Sequence, residues 1–286
     1  ACPPVHGQDT LMTPEVHPMK ATLRTKAAWH LKDLTSLGLA YQARHLHRRD
    51  RSEFRVRIKE VGDMTLRPRT ADAAVVSQVF SWRQYDLSQF PQQSQISRTH
   101  DEILERGRRP LILDLGANNG ASARWFARAY PQADIVAVEP DPENARICRV
   151  NTSGHAVQVL TAAIGSVPGT VTLHNTDTAT LSYTTTRAPD GAVPVVTVGQ
   201  ILADRPDHEL FIVKIDIEGF EEDLFAADTD WVEQATVLLV EPHDWKFPER
   251  DTSHNLQQTM GRLPFHLLLC GENLVYVRHG HRAVTP

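Results

Sequence analysis

The strongest constraint on this chain lies between Leu111 and Gly120. The apolar run Leu-Ile-Leu-Asp-Leu passes at once into Gly116-Ala-Asn-Asn-Gly120, and then into an alanine-rich stretch that reaches Tyr130. That order reads as a short buried strand, a tight turn and a helix. The two glycines permit a backbone conformation that side chains obstruct, and they let a ligand approach the main chain. The next apolar run, Ile135–Val138, ends in Glu139-Pro140-Asp141. In a parallel sheet that acidic residue stands beside the glycine turn, where a carboxylate can accept both hydroxyls of a ribose.

The alternation continues along the chain. A helix over Asp141–Asn151 and a strand over Val157–Leu160 follow, with later strands at Leu210–Ile215 and Val237–Glu241. Phe265–Cys270 and Leu274–Val277 flank Gly271-Glu272-Asn273 as a hairpin, so at least one strand runs antiparallel. The expected fold class is α/β, a Rossmann-like sheet with helices on both faces. Val171–Leu173 and Val195–Val198 are further strand-like pieces around a long polar loop, His174–Asp190, expected to select the substrate with Ser182 at its centre. Thr161-Ala-Ala-Ile-Gly165 is a loop whose backbone would reach a purine ring.

Upstream, residues 1–20 read as a flexible tail, 21–100 as a helical and hairpin extension, and 101–286 as the main domain. Segment 20–51 is rich in Lys and Arg at helical spacing, which fits a solvated face, with an anionic partner as the sharper alternative. Phe54, Val56 and Ile58 alternate with basic residues as a strand, with Val61–Leu66 as its hairpin partner. Ala71–Trp82 and Ser97–Arg106 are expected helices, and Gln92-Gln93-Ser94-Gln95 a loop between them. The extension is expected to cap the active site or to mediate self-association, as in a homodimer.

Composition removes several classes. The chain has 286 residues, 41% hydrophobic and 23% charged, which is ordinary for a globular protein and excludes a largely disordered or collagenous one. A net charge of −5 disfavours general nucleic-acid binding. Three cysteines without CxxC spacing argue against a disulfide framework, and a reducing, cytoplasmic setting is the default expectation. No apolar run approaches the roughly 18 residues of a membrane span, and no signal peptide is visible.

Two cofactors suit a glycine turn followed by an acidic residue: NAD and S-adenosylmethionine. Asn118 stands where a pyrophosphate-binding turn needs glycine, and Asp114 suits an ammonium better than a phosphate. Both features favour S-adenosylmethionine. At the ends of the later strands, Asp216, Glu218, Glu241 and His243 converge on the same mouth. His243 is the preferred general base, because an unperturbed imidazole titrates near pH 6.5. Asp216 comes second, as base or as a group orienting base or substrate, and Glu218 third. No metal is assigned, although these four residues form an oxygen-rich set that suits a divalent cation.

Three segments together resemble the FkbM family of S-adenosylmethionine-dependent methyltransferases. They are Leu113-Asp-Leu-Gly-Ala-Asn-Asn-Gly120, Val213-Lys-Ile-Asp-Ile-Glu-Gly219 and Leu239-Val-Glu-Pro-His243. The likeness covers about residues 70–280, and Val79-Phe80-Ser-Trp82-Arg-Gln-Tyr85 also resembles the family's entry region. Asn119 departs from the apolar residue that many members carry there. The resemblance implies a class I methyltransferase fold with seven strands, the last antiparallel. It also implies O-methylation of a saccharide or secondary metabolite. Carried onto this sequence, the cofactor would meet Asp114, Gly116, Ala117, Asn118, Gly120, Glu139, Pro140, Asp141, Ala163 and Tyr85, with Asn144 bordering the adenine. Substrate would meet Ser182, Asp216 and His243. The competing readings are an NAD-dependent oxidoreductase, an RNA-directed methyltransferase using segment 20–51, and a non-catalytic adenosyl-binding module.

Overall fold

The computed structural model describes residues 32–33, 35–37, 52–177 and 182–279, without the side chains of 175–177 and 182. The tail 1–20 and nearly all of the basic segment 20–51 lie outside the described residues.

From residue 52 onward the first element is a hairpin, β1 (Phe54–Ile58) and β2 (Gly62–Leu66), antiparallel in register from Phe54 against Leu66. Helix α1 (Asp72–Val76) continues into a π-helical turn over Ser77–Ser81, so the expected helix over 71–82 is present with a wider second half. Helix α2 (Gln93–Glu105) starts earlier than expected. The glutamine run expected as a loop supplies its first turn, because Gln is a good helix former with no turn residue to stop it.

The central sheet takes β3 (Arg109–Leu115), β4 (Asp134–Val138), β5 (Val157–Leu160) and, later in the chain, four further strands. Helix α3 (Ala121–Ala129) joins β3 to β4, and α4 (Pro142–Thr152) joins β4 to β5. Asp141 caps α4 by accepting from the Asn144 amide at 2.7 Å, with proline in the first turn. A small second sheet then forms from β6 (Ala163–Ile164), β7 (Gly169–Asp177), β8 (Ser182–Arg187) and β9 (Val193–Val196), in the order β6-β9-β7-β8. The segment expected as a polar loop, 174–190, is therefore mostly a hairpin arm: β7 and β8 pair antiparallel from Val171 against Arg187. Its Thr and Tyr residues are polar yet favour strands, which composition alone conceals.

Helix α5 (Val198–Ala203) leads into β10 (His208–Ile215), and α6 (Glu221–Leu224) precedes β11 (Val237–Val240). Helix α7 (His254–Met260) and the hairpin β12 (Phe265–Cys270) and β13 (Asn273–Arg278) are the last elements among the described residues. The seven-stranded order is β12-β13-β11-β10-β3-β4-β5, with β13 antiparallel to both neighbours and the other contacts parallel. This is the Rossmann-like class I methyltransferase arrangement, with its terminal antiparallel hairpin.

Alternate residues of each strand feed two cores. Ile112, Ile135, Phe211 and Val237 pack with Phe126 of α3 and with Val56, Met64, Leu66 and Phe80 of the extension. Leu111, Leu113, Val213 and Leu238 pack with Ile201 of α5 and Leu256 of α7. The extension thus shares one core with the sheet. Buried Asn151 bolts them together, exchanging hydrogen bonds with the Thr65 amide and carbonyl at 2.7 and 3.0 Å and donating to the Asn119 carbonyl at 2.8 Å. Arg67 pairs with Asp72 at 2.7 Å and reaches Asn144 on α4 at 2.7 Å. Among the described residues no helix is long and apolar enough to cross a membrane.

Candidate active site

The carboxyl ends of β3, β4 and β10 meet around a cleft. Parallel pairing of β3 with β10 brings the glycine turn against Asp216, whose amide donates to the Leu115 carbonyl at 3.0 Å. Gly116 has φ +83°, and a Cβ there would lie 1.8 Å from the Asp216 carbonyl oxygen. Nothing larger than glycine fits without moving two strand ends apart. Asn118 follows with φ +47°, a left-handed conformation that asparagine tolerates.

That twist turns the Asn118 amide toward Glu139. One Glu139 oxygen accepts from Asn118 at 2.8 Å; the other accepts from the Asp141 amide at 3.0 Å and the Asn144 side-chain amide at 3.2 Å. Glu139 is 5% exposed and lines the cleft. Burial pushes its carboxyl up to about 7, against the lowering effect of those three hydrogen bonds. A carboxyl raised in this way favours the folded state less as pH climbs from the ordinary carboxylate range toward 7, because the folded protein holds the proton more tightly. Hydroxyl donors arriving from the cleft favour the ionised form.

Gly116, Asn118, Glu139, Pro140, Asn144, Ala163, Asp216 and Glu218 all line the cleft. Five expected cofactor residues do not. Asp114 is fully buried, because strand alternation places it with Ile112 on the face that α3 covers. It accepts from Ser122 at 2.6 Å and faces Lys214 at 3.4 Å. Ala117 packs against Ala137 and Cys148. Gly120 is required by helix packing, since a Cβ there would meet the Cys148 Sγ at 3.0 Å. Asp141 is engaged as a helix cap. Tyr85 is buried beside Phe126, and its carbonyl accepts from the Trp125 indole at 3.0 Å.

The cleft also has a wall that the sequence did not mark, Phe220, beside Ile164 and Ile217. From β8 come Tyr183 and Thr185, two residues apart and so on one strand face. Ser182, expected at the centre of this segment, starts β8, and its side chain lies outside the described residues. Burial, the Asp141 charge and a hydrogen bond to it push the Tyr183 hydroxyl above its ordinary range.

Lys214 sits in the middle of an apolar strand with 2% of its side chain exposed. It donates to the Gly116 carbonyl at 2.6 Å and lies 3.5 Å from Asp216. Burial opposes its charge, but Tyr85, Asp216, Asp114 and Glu241 outweigh burial and raise its pKa.

At the rim, the Glu241 amide donates to the Ile215 carbonyl at 2.9 Å, which brings β11's end beside Asp216. His243 is 1% exposed, and its Nδ1 lies 2.9 Å from Oε1 of the fully buried Glu221. Burial disfavours its charge; the Glu221 hydrogen bond and the charges of Glu221, Asp216 and Glu218 outweigh that and push it up to about 10. His243 is not among the residues lining the cleft, whereas Asp216 and Glu218 are.

A family model described as "Methyltransferase FkbM domain" matches residues 114–267, more than half of the chain. The 2-O-methyltransferase NoeI of Sinorhizobium fredii is 48% identical over 42 residues, which is 15% of this chain and 17% of that protein. The methyltransferase FkbM structure from Methylobacillus flagellatus KT superposes with TM-score 0.39 at 15% identity, over 59% of this chain and 43% of that one. Cofactor-bound Rv0187 from MTB gives TM-score 0.36 at 20% identity, over 65% of this chain and 81% of that one.

Proposed function

This chain belongs to the FkbM methyltransferase family, and from that premise we propose that it moves a methyl group from S-adenosylmethionine to a hydroxyl of a saccharide or secondary metabolite. The observation that carries the donor is Glu139. Its carboxylate is fixed by two backbone amides at the strand end, opens into the cleft and stands beside a glycine turn, as two vicinal ribose hydroxyls require. Tyr183, Ala163 and Ile164 line the same cleft as Asn144 and offer packing surface for a purine. Among the described residues no cluster of cations suited to a pyrophosphate lines the cleft. Oxygen as the methylated atom is supported by the short match to a 2-O-methyltransferase, and the acceptor class by the family resemblance.

When bound, the donor supplies a methyl carbon activated by its sulfonium. The chain's part is alignment and proton removal. Acceptor oxygen, methyl carbon and sulfur must stand in line at short range, which positioning alone can favour strongly. Asp216 and Glu218 project from the end of β10 onto the cleft wall and are placed to take the hydroxyl proton. General-base help of this kind is worth roughly 10²–10⁴-fold. The buried free thiols Cys148 and Cys270 accord with a cytoplasmic setting.

The test is incubation with methyl-labelled S-adenosylmethionine and a panel of saccharides and hydroxylated natural products. Label in a base-stable ether bond supports the reading; label in an amine, or in no acceptor while the donor binds, counts against it. A pH series adds a second check. Affinity for S-adenosylhomocysteine is expected to rise as pH passes upward through about 7, where Glu139 ionises. Calorimetry at each pH measures it, and Glu139→Gln should flatten the rise.

A third expectation concerns β8. Tyr183→Ala should weaken S-adenosylhomocysteine roughly tenfold by removing one stacked or packed aromatic face, with little change in thermal midpoint. An unchanged affinity would remove the β7–β8 arm from the donor site.

A further inference from the structure

Asp216, Glu241 and His243 come from the ends of two adjacent strands, and their donor atoms all lie within 4.8 Å of one another. We propose that these three side chains form a binding site for one divalent cation of the Mn²⁺ class, against the sequence expectation of no metal.

Two independent features carry this. The first is the carboxylate pair with an imidazole at ligand spacing. His243 Nε2 lies 3.7 Å from Asp216 Oδ1 and 4.0 Å from Glu241 Oε1. Ligands held about 2.0–2.3 Å from a common ion lie roughly 3–4 Å apart, so small side-chain rotations close the set. The second is the state of the imidazole. His243 is almost wholly buried, and its Nδ1 is committed to Glu221. Its Nε2 has no hydrogen-bond partner among the described residues and points at the three carboxylates of Asp216, Glu218 and Glu241, the nearest oxygen being 3.6 Å away. A buried carboxylate on one imidazole nitrogen, with the other nitrogen aimed at oxygen ligands, is the outer support that metal-bound histidines use, and an arriving cation would displace the Nε2 proton that the surrounding carboxylates otherwise favour. The nearby lysines are already engaged, Lys246 with Glu218 at 2.6 Å and Lys214 with the Gly116 carbonyl.

Two hard oxygens with one imidazole nitrogen suit Mn²⁺ better than Ca²⁺, which prefers oxygen alone. Asp216 also lines the cleft, so the ion would border the space where an acceptor must sit. There it gives the site a role that rests on the methyl-transfer reading. The acceptor hydroxyl would bind the ion, lose its proton to Glu218, and use the freed oxygen lone pair to form the new C–O bond as the C–S bond breaks. The products are a methyl ether, a neutral thioether and a proton on the carboxylate.

The experiment is a Mn²⁺ titration of the chelator-treated full chain, following loss of the free-ion signal by electron paramagnetic resonance, with no donor or acceptor present. One ion per chain is expected, with affinity falling at least tenfold in both Glu241→Gln and His243→Gln and unchanged in Glu222→Gln, whose parent residue is exposed on α6. Circular dichroism checks each fold. Should His243→Gln fail to fold, Glu241→Gln alone decides. No stoichiometric binding, or binding indifferent to Glu241→Gln, overturns the site. Because donor and acceptor are absent, a failed methyl-transfer assay leaves this result standing, and tight S-adenosylhomocysteine binding without any Mn²⁺ binding overturns the ion site while leaving the donor site intact.

Discussion

Lys214→Met is expected to destabilise the folded protein by about 3–5 kcal/mol, the loss seen when one partner of a buried ion pair is removed. The lysine is almost completely enclosed and faces fully buried Asp114 at 3.4 Å. The Oδ1 of Asp114 has no hydrogen-bond partner, so the facing ammonium is what compensates its charge. Methionine fills similar volume but supplies no charge, and the Gly116 carbonyl also loses its 2.6 Å donor. Urea unfolding followed by circular dichroism measures the change. Adding Asp114→Asn should recover more than half of the loss, because it removes the orphaned charge. A cost below about 1 kcal/mol for the single change would show that the pair does not hold the strand ends together.

Glu139→Ala is expected to weaken S-adenosylhomocysteine at least a hundredfold. A ribose held through two hydroxyls makes two hydrogen bonds to a charged group, each worth about 1.5–3 kcal/mol. The truncation also frees the Asn118 and Asp141 amides, which now converge on the carboxylate. The glycine turn then loses its tie to the end of β4. Glu139→Gln keeps the acceptor oxygen and should fall between the two. Equal loss in both variants would place the effect in the charge alone; no loss in either would remove Glu139 from the donor site.

The parts of this site that could be read from the chain are those set by local pattern. Strand, glycine turn and helix occupy consecutive residues, so Gly116, Asn118 and Glu139 fall beside one cleft once the strands pair in parallel. The terminal hairpin declared itself through two apolar runs around Gly271. What stayed hidden depends on contacts distant in sequence. Glu221 reads as one more carboxylate at a helix start, and its meaning appears only when His243, far along the chain, packs on it. Lys214 is a charge inside an apolar run whose partners come from a different strand and turn. Asp114 and Ala117 were expected at the ligand because they sit in the motif; the side each one faces was decided by strand alternation and by α3 covering that side. The β7–β8 arm was missed because threonine-rich strands and polar loops share a composition.

The central claim is that the cleft at Glu139 holds an adenosyl sulfonium donor rather than a dinucleotide. Calorimetric titration of the native chain with S-adenosylhomocysteine, beside NAD under the same buffer, tests it most directly. Saturable one-to-one binding of S-adenosylhomocysteine with none for NAD is the expected result. Preference for NAD, or no heat with either compound from a folded sample, would contradict it.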